Sequence, residues 1–515
     1  MNRLGEKITT AGRERQFTLS LILMFVYLIF LYITKTLWYR MLAVYCLWIA
    51  LLLLPALLPR LRSEKPELKL VLLFAVWVLL TRALHWDVKA YISRCFSGDL
   101  SYPADTLHIA SSAMVYVPMA ACLILRGRDR ERLIDGIAIV AVSFAVIVGL
   151  ICLYGSLYKM QIPALLGDRD LCVFAGSRLC PLGKNPNTGC MWFFLGIFFS
   201  AYLFCRTGNR LCRVGLVLAA FLSYLMLTMT FSRNGMLAFS VCAGLLVLVL
   251  VLRRFSPGTV VRKLLCTVLV LGLTVPLAYG SFRLTAGGME SISNALIQKR
   301  IDARAQTEEE TGSAGAELSG GTHRAAPTVL RGESSGHRDG QAQPVSRTLQ
   351  ADDDWQYITY EDSRGFRDSG RIAIYKSIVY TMQREPMRLL IGCLEENAME
   401  YTNEILPSSV AHFHNTFLQI LCVTGVVGLA LVLIFCVLLG RRVIRVLYSD
   451  APMTVSILAL MLVGIVSYNM LEVDLFLYSD ITCFSAYIAA GAVLAYTCEH
   501  DKGAPAAAPG AEGSV

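Results

Sequence analysis

Long apolar runs alternate with short polar connections along the chain, and this pattern predicts an all-α polytopic membrane protein. The runs are roughly 17–25 residues long, which is the length that lets an α-helix cross a bilayer. Backbone groups in lipid must find hydrogen bonds within their own segment, so the runs are predicted to be helices rather than strands. About twelve spans are predicted: 17–34, 41–58, 68–84, 107–125, 133–154, 189–205, 212–230, 235–252, 263–282, 415–439, 453–471 and 475–497.

The composition agrees with this class of protein. Hydrophobic residues make up 55% of the 515 residues and charged residues only 17%, against about 25% charged in soluble domains. The mean hydropathy is +0.56. The first apolar run is too long for a cleavable signal peptide and lacks a small-residue cleavage site, so it is predicted to remain as a span.

Basic residues cluster at alternate ends of the predicted spans, which indicates how the chain is oriented. Six termini or connections carry three or four lysines or arginines each: 3–15, 60–69, 126–132, 206–213, 253–263 and 441–445. Because such residues favour the cytoplasmic side, we predict a multi-pass plasma-membrane protein with both termini in the cytoplasm. The net charge of +9 is spread along membrane edges rather than gathered on one soluble face, so no nucleic-acid binding is expected.

The spans and connections divide the chain into five regions. These are spans one to five with their external loops (1–182), spans six to nine (183–282), a large extracytoplasmic loop (283–413), spans ten to twelve (414–498) and a disordered cytoplasmic tail (499–515). An insert at about 302–354 has few aromatic residues and is predicted to be disordered, because it cannot bury enough apolar surface to offset its ordering entropy. A surface helix is predicted to follow, beginning at Ser369 and ending at Pro386.

Most of the 16 cysteines lie in or beside apolar runs, where cysteine acts as a small hydrophobic residue. Cys172 and Cys180 share an external loop, and the sequence leaves open whether they form a disulfide or remain free thiols. No CxxC pair of the kind that binds zinc occurs, and neither a metal nor another cofactor is predicted.

Two polar segments mark where predicted spans begin on the extracytoplasmic face. Asn187, before the sixth span, can cap the helix or bind a substrate. Ser232 and Arg233 lie in the tight turn before the eighth span. A guanidinium there can pair with a phosphate or can simply anchor the turn by reaching to the lipid headgroups, and both interpretations stay open.

The predicted surface helix of the large loop is basic. Arg371 lies in its first turn, Lys376 and Arg384 follow, and Arg388 comes just after it. Such a helix can contact ordinary anionic lipids, or its arginines can hold a diphosphate inside a cavity.

His414 and Asn415 lie at the mouth of the tenth span. An imidazole can take the proton of a sugar hydroxyl as a general base, although a histidine at a membrane interface is often only structural. Asn415 can bind a substrate or merely cap the helix. Glu472 and Asp474 are predicted on the same face, where they can pair with an arginine, orient His414 or mark a solvated loop.

These segments would bring one base and at least two guanidiniums to one face of the membrane. That combination suits the chemistry of a lipid diphosphate-linked sugar. Cations neutralise the leaving diphosphate while the base accepts the proton of the acceptor.

Four motifs in chain order resemble the O-antigen ligase and O-antigen polymerase superfamily. They are G-x-N-P-N at 183–187, F-S-R-N-G-M-L-A at 231–238, R-I-A-I-Y at 371–375 with Pro386 and Gly392, and H-N-x-x-L-Q at 414–419 with Gly425 and Gly428. The chain departs from the superfamily in having Asn234-Gly235 after the arginine, Tyr375 where tryptophan is frequent, and the insert.

The resemblance implies an all-helical, GT-C-like membrane glycosyltransferase whose donor is a glycan linked to a polyprenyl diphosphate, such as undecaprenyl diphosphate. It implies that Arg233 and Arg371 bind the diphosphate and that His414 assists the acceptor hydroxyl. It further implies transfer with inversion and without a metal. The predicted substrate-binding residues are Asn187, Ser232, Asn415 and Arg388.

Ligases and polymerases use the same donor chemistry, so the motifs leave the choice between them open. The acceptor can be a glycan, a lipid or a protein. The alternative from another class is a polysaccharide or lipid-carrier transporter. Transporters usually place charged sites near the middle of the bilayer, whereas the distinctive groups here are predicted at the outer rim, which favours chemistry there. A purely structural scaffold would need no cavity that joins Arg233, Arg371 and His414.

Overall fold

The computed structural model describes residues 15–29 without 27, 66–85, 117–163 without 126, 170–183 without 176–177, 185–316 without 256–259, 349–350, 356–357, 374–375, 378–379, 386–392, 413–472 and 481–501. These residues are mostly helical. The helices are α1 Arg15–Val26, α2 Pro66–His85, α3 Val117–Ile124, α4 Arg128–Tyr158, α5 Pro186–Arg206, α6 Arg210–Met229, α7 Arg233–Phe255, α8 Val260–Ala316, α9 Pro386–Ile391, α10 Thr416–Leu447, α11 Met453–Asn469 and α12 Ile481–His500. Strand β1 Cys172–Ala175 pairs antiparallel with β2 Arg178–Pro181, and β3 Leu349–Gln350 pairs with β4 Gln356–Tyr357.

Seven helices in the described part of the chain are long and apolar enough to cross a membrane: α4, α5, α6, α7, α8, α10 and α12. They coincide with seven of the spans predicted from hydropathy, so the chain is a multi-pass membrane protein. The shorter apolar helices α1 and α11 coincide with two more. The predicted span 41–58 and much of 107–125 lie outside the described residues, so the number twelve stays a prediction.

The centre of the bundle is formed by α5 and α12, whereas α6 and α8 lie at its edge. Helix α12 is buried over nearly its whole length, and α5 buries the aromatic side chains of Trp192 and Phe194. Gly464 of α11 lies against Phe194, where a Cβ would collide with the ring. Small residues of this kind let helices approach closely, as they do in lipid. Exposed leucines on α8, such as Leu269 and Leu277, leave an apolar surface for the lipid.

Ion pairs join the helix ends that carry the basic clusters. Arg130 of α4 pairs with Glu499 of α12 at 2.7 Å. Asp501, directly after α12, accepts hydrogen bonds from Arg442 and Arg445 of α10. The basic ends of these helices therefore meet at one face of the bundle, as the alternation of basic segments along the sequence predicts.

Helix α8 is longer than the sequence indicates. The apolar run predicts a span that ends at 282 and a loop that starts at 283, but the helix continues to Ala316. The helix therefore runs past the predicted boundary at 283 and into the predicted insert, whereas the division of the chain into regions stays a prediction. The physical reason is that alanine, glutamate, glutamine and arginine, which dominate the polar part of α8, are good helix formers.

Tertiary contacts hold the extended part of α8. The hydroxyl of Ser293 donates to the carbonyl oxygens of Ser156 and Leu157 at the end of α4, at 3.2 and 3.1 Å. One residue further, Asn294 Oδ1 accepts a hydrogen bond from Lys159 Nζ at 2.7 Å. The extended part of α8 is therefore fastened to the end of α4 that lies opposite the ion-paired face.

Helix α10 is bent at Gly425, whose φ of 68° lies in the left-handed region. Gly392, which follows α9 and has a φ of 79°, lies against the backbone of Val423 and Thr424. A Cβ at either glycine would collide with backbone atoms of the other segment. The indole N–H of Trp77 on α2 donates to the carbonyl oxygen of Thr424 at 2.7 Å, so that this carbonyl at the bend has a partner.

Four residues of the predicted surface helix lie in the described part of the chain, and the rest of that helix stays a prediction. Ile374, Tyr375, Ile378 and Val379 are helical. Ile374 and Ile378 are buried against Phe413, whereas Val379 is exposed. Ile374 and Ile378 therefore pack beside the start of α10.

Candidate functional site

Polar residues from four parts of the chain meet at the face opposite the ion-paired basic ends. Asn187 belongs to the first turn of α5. Ser232 and Asn234 lie at the start of α7, His414 lies just before α10, and Glu472 follows α11. The alternation of spans predicts that these segments share a face, and hydrogen bonds among them bring them together.

Each helix that begins at the site has a side-chain cap. Asn185, Ser232 and Asn415 accept hydrogen bonds from backbone N–H groups in the first turns of α5, α7 and α10, at 2.9, 3.3 and 3.0 Å. The cap of α5 is thus Asn185 rather than Asn187, because Pro186 occupies the first helical position, which suits proline. The side chain of Asn187 is therefore available for contacts across the site.

Sharp turns precede two of these helices. Phe231 and His414 have φ angles of 47° and 53°, in the left-handed region that residues with a Cβ rarely adopt. Each lies one residue before its cap, Ser232 or Asn415. The hydroxyl of Tyr375 donates to the carbonyl oxygen of His414 at 3.2 Å and helps to hold the second turn. Strained backbone of this kind is concentrated at functional sites.

The side chain of Glu472 is the centre of the cluster, and it is buried. Its Oε1 accepts hydrogen bonds from Nδ2 of Asn187 at 2.7 Å and from Nδ2 of Asn234 at 3.2 Å. Its Oε2 lies 3.5 Å from Nδ1 of His414. Its backbone carbonyl accepts a hydrogen bond from the hydroxyl of Thr416 at 2.9 Å, which ties the segment to α10.

Asn187 links this centre to a neighbouring hairpin. Its Oδ1 accepts hydrogen bonds from Oγ of Ser232 at 3.0 Å and from Nη2 of Arg178 at 2.9 Å. Arg178 begins strand β2, and its Nε also donates to the carbonyl oxygen of Thr230 at 3.3 Å. The amide of Asn187 therefore connects a guanidinium, a hydroxyl and the carboxyl group of Glu472.

The imidazole of His414 is buried on one side and exposed to solvent on the other. Nδ1 faces the buried Glu472, yet the side chain as a whole is 26% exposed. Asn415 fixes the adjoining backbone, because its Nδ2 donates to the carbonyl oxygen of Met470 at 2.7 Å. The ring is thus held from the protein side and can be reached from outside.

Two guanidiniums lie beside the cluster. Arg233 is the first residue of α7 and its side chain is exposed. Burial lowers the pKa of the half-buried Arg178 below its usual range; the charge of Arg233 acts in the same direction, whereas Glu472 opposes it. Arg233 and Glu472 therefore both contribute to the electrostatic environment of Arg178.

Several predicted site residues remain untested. Arg371 lies outside the described residues, as does Asp474. Arg388 lies in α9, but its side chain also lies outside the described part. The sequence interpretation missed two contributors, Arg178 and Asn234. A useful signal for Arg178 is its location in the loop that leads directly into the G-x-N-P-N motif.

The described residues also show the state of the loop cysteines and the arrangement of potential metal ligands. Cys172 and Cys180 are in the thiol form on neighbouring strands, where Cys172 lies opposite Pro181 and Cys180 opposite Val173. Within the described ranges, no group of three or more histidine, cysteine, aspartate or glutamate residues is arranged to hold a metal ion.

A family model described as O-antigen ligase matches residues 216–433. The match begins within α6 and ends within α10, so it includes Arg233 and His414 but leaves out Arg178, Asn187 and Glu472. It supports the O-antigen ligase and polymerase superfamily that the motifs indicate. No curated protein and no solved structure matches the chain at a significant level.

Proposed function

We propose that this membrane protein, whose residues 216–433 form an O-antigen ligase domain, transfers a glycan from a polyprenyl diphosphate carrier to an acceptor hydroxyl at the outer face of the plasma membrane. The observation that carries the proposal is the cluster in which His414, Asn187 and Asn234 meet at Glu472 beside Arg233. The distribution of basic residues supports the outer face in this proposal, since the cluster lies at the face opposite their ion-paired ends.

In the proposed reaction His414 is the general base. With Nδ1 directed at Glu472, the lone pair of Nε2 is the one that accepts the proton of the acceptor hydroxyl. The acceptor oxygen then forms a bond to the anomeric carbon of the donor. Glu472 acts through His414, because it orients the ring and stabilises the positive charge that the ring gains.

The leaving group is the polyprenyl diphosphate. The bond between the anomeric carbon and the phosphate oxygen breaks, and its electron pair stays on the diphosphate. Arg233 is proposed to bind this developing charge, and Arg371 is proposed for the same role on the strength of the sequence motif alone. Attack opposite the leaving group inverts the anomeric centre, and guanidiniums supply the positive charge that a metal would otherwise provide.

The remaining predicted residues are proposed to position the substrates. Asn187 and Ser232 are hydrogen-bonded to each other beside the base, and Asn415 holds the turn that presents it. Arg388 is proposed to contact the diphosphate or a lipid headgroup. The acceptor can be a growing glycan, a lipid or a protein. Transfer to a growing glycan is a polymerase reaction, whereas transfer to a lipid or a protein is a ligase reaction.

The proposal is tested by the size and linkage of the envelope glycan in cells that lack the gene and carry either the wild type or His414→Ala. His500→Ala is the matched control, because His500 lies at the opposite end of the bundle on α12. If the long glycan ladder is replaced by single repeats in cells with His414→Ala, the protein is a polymerase. If full-length chains stay on the lipid carrier, it is a ligase. A wild-type glycan pattern with His414→Ala, at equal protein level, contradicts the catalytic role.

The transporter alternative gains no support from the described residues. A transport site is expected near the middle of the membrane, on broken helices lined with charged groups. The bend at Gly425 is a break of this kind, but the carbonyl oxygen of Thr424 beside it accepts a hydrogen bond from the indole N–H of Trp77, which is a neutral group. The cluster around Glu472 lies instead at helix ends.

A further inference from the structure

We propose that Arg178, at the start of strand β2, is a third cationic binding residue for the diphosphate of the donor, alongside Arg233. This inference rests on the proposed function. It adds to the site a residue from the external loop, from outside the matched domain.

The hairpin holds Arg178 in place from two directions. Strand β2 pairs with β1, and Pro181 at its other end packs against Gly189 of α5, where a Cβ would collide with the proline ring. The guanidinium then spans from Thr230 to Asn187, using Nε for the first and Nη2 for the second. Its position is therefore set by the backbone of one turn and by an amide that already contacts Glu472.

The hydrogen bonds of Arg178 use only some of the N–H donors of its guanidinium group. Nε and Nη2 donate to neutral acceptors, and in the described part of the chain Nη1 has no hydrogen-bond partner. A guanidinium carries five N–H donors in a planar fork that matches phosphate oxygens. Arg178 can therefore keep both protein contacts and still donate to an anion.

The local charge balance also favours an anion. The charges of Arg233 and Glu472 both act on the half-buried guanidinium of Arg178, and the carboxyl group of Glu472 is already engaged by two amides. Bringing two like charges together beside a buried region costs free energy unless a counterion compensates them. A diphosphate that accepts from Nη1 of Arg178 would add negative charge beside both guanidiniums and lower this cost.

A purely structural role for Arg178 makes a different prediction. If the residue only fastened the hairpin to α5 and α6, its loss would lower thermal stability and would not change the affinity of the folded protein for an anion. The two roles therefore separate in a binding measurement on folded variants.

The experiment uses the purified full-length protein in nanodiscs and inorganic pyrophosphate as the probe, with binding followed by calorimetry. Arg178→Gln is compared with Arg233→Gln and with a matched control, Arg210→Gln. Arg210 is an exposed arginine at the far end of α6 from Thr230. Arg178→Gln should weaken pyrophosphate binding by about tenfold or more, as expected for a lost charge-assisted contact. Arg210→Gln should leave it unchanged.

The outcomes distinguish this inference from the proposed function. Wild-type affinity in folded Arg178→Gln, together with weakened binding in Arg233→Gln, overturns the role of Arg178 and leaves the proposed function intact. Absence of any pyrophosphate binding by the wild type, or equal binding by all variants, overturns both. If Arg178→Gln does not fold, Arg178→Lys keeps the charge and loses the fork. Its affinity should then fall by about threefold or more, and an unchanged affinity overturns the inference.

Discussion

Nδ1 of His414 lies 3.5 Å from Oε2 of Glu472, and this pair joins the start of α10 to the segment after α11. The carboxyl group also holds the amides of Asn187 and Asn234 through its other oxygen. Because those two amides direct Oε1, the remaining oxygen is turned toward the ring. The orientation of the imidazole therefore depends on residues far apart in the sequence.

Glu472→Gln should lower the transfer rate by on the order of 10²-fold or more. A glutamine that turns its NH₂ group toward Nδ1 of His414 favours the tautomer with the proton on Nε2, and that tautomer cannot act as the base. The measurement is kcat on a lipid diphosphate-linked glycan. Pyrophosphate affinity should change little, because Glu472 does not bind the leaving group. Glu472→Asp serves as the partial control, and a wild-type kcat in Glu472→Gln contradicts the proposed tautomer.

Gly425→Ala and Gly392→Ala should each lower the free energy of unfolding by about 1–3 kcal/mol or more. Both positions have left-handed backbone, which is costly for residues with a side chain, and a Cβ at either position would meet backbone atoms. Gly440→Ala on the same helix α10 is the control, because no atom lies near its Cβ position. It should be neutral or stabilising by up to about 1 kcal/mol. Thermal unfolding of the purified variants in detergent measures the difference, and equal losses at all three glycines contradict the prediction.

Asp501→Asn should lower stability slightly, and the effect should depend on pH. The hydrogen bond from Arg442 is the main reason that the pKa of Asp501 is below its usual range, and burial acts in the opposite direction. A carboxyl group whose pKa is lowered on folding contributes stability above its unfolded pKa of about 3.9, and the contribution is lost as the pH falls through the lower folded value.

Because the ion pair is exposed, the loss near neutral pH should stay below about 1 kcal/mol and should shrink at high salt. Unfolding midpoints of wild type and Asp501→Asn at pH 7 and below pH 4 test this. A difference that grows as the pH falls contradicts the sign.

The extended part of α8 should lie close to the end of α4. In the double variant Lys159→Cys with Asn294→Cys, a short thiol crosslinker should join the two cysteines, because the native side chains are hydrogen-bonded at 2.7 Å. The control pair is Lys159→Cys with Ile301→Cys, since Ile301 is exposed two turns further along α8. Crosslinked peptides are identified by mass spectrometry. A flexible loop from 283 onward would crosslink both pairs equally and would contradict a continuous helix.

Much of the fold follows from hydropathy, because a span must be apolar whatever it packs against. The seven membrane helices therefore coincide with predicted runs. The end of α8 could not be predicted in this way, since its polar part is held by Ser156 and Leu157, which are distant in sequence. The bend at Gly425 also escaped prediction. The motif G-x-x-G was visible, but its partner Gly392 is identified only by the packing of α9.

The candidate site could be predicted in part. Alternating spans bring Arg233 and His414 to one face, and Glu472 was one of several residues that could orient the histidine. The sequence could not choose among those options, because the choice depends on the hydrogen bonds from Asn187 and Asn234. Arg178 was missed because two four-residue strands carry almost no periodic signal.

Glu472 is also the last part of the site to leave the ribosome. The helix that begins beside Asn187 is synthesised almost 300 residues earlier, and the turn with Asn234 follows soon after it. Both amides reach the membrane surface before their carboxyl partner is synthesised. Until then, water or lipid headgroups are expected to accept their hydrogen bonds. Completion of the candidate site thus waits for the segment after α11, and a chain interrupted before that point should be inactive even though His414 is unchanged.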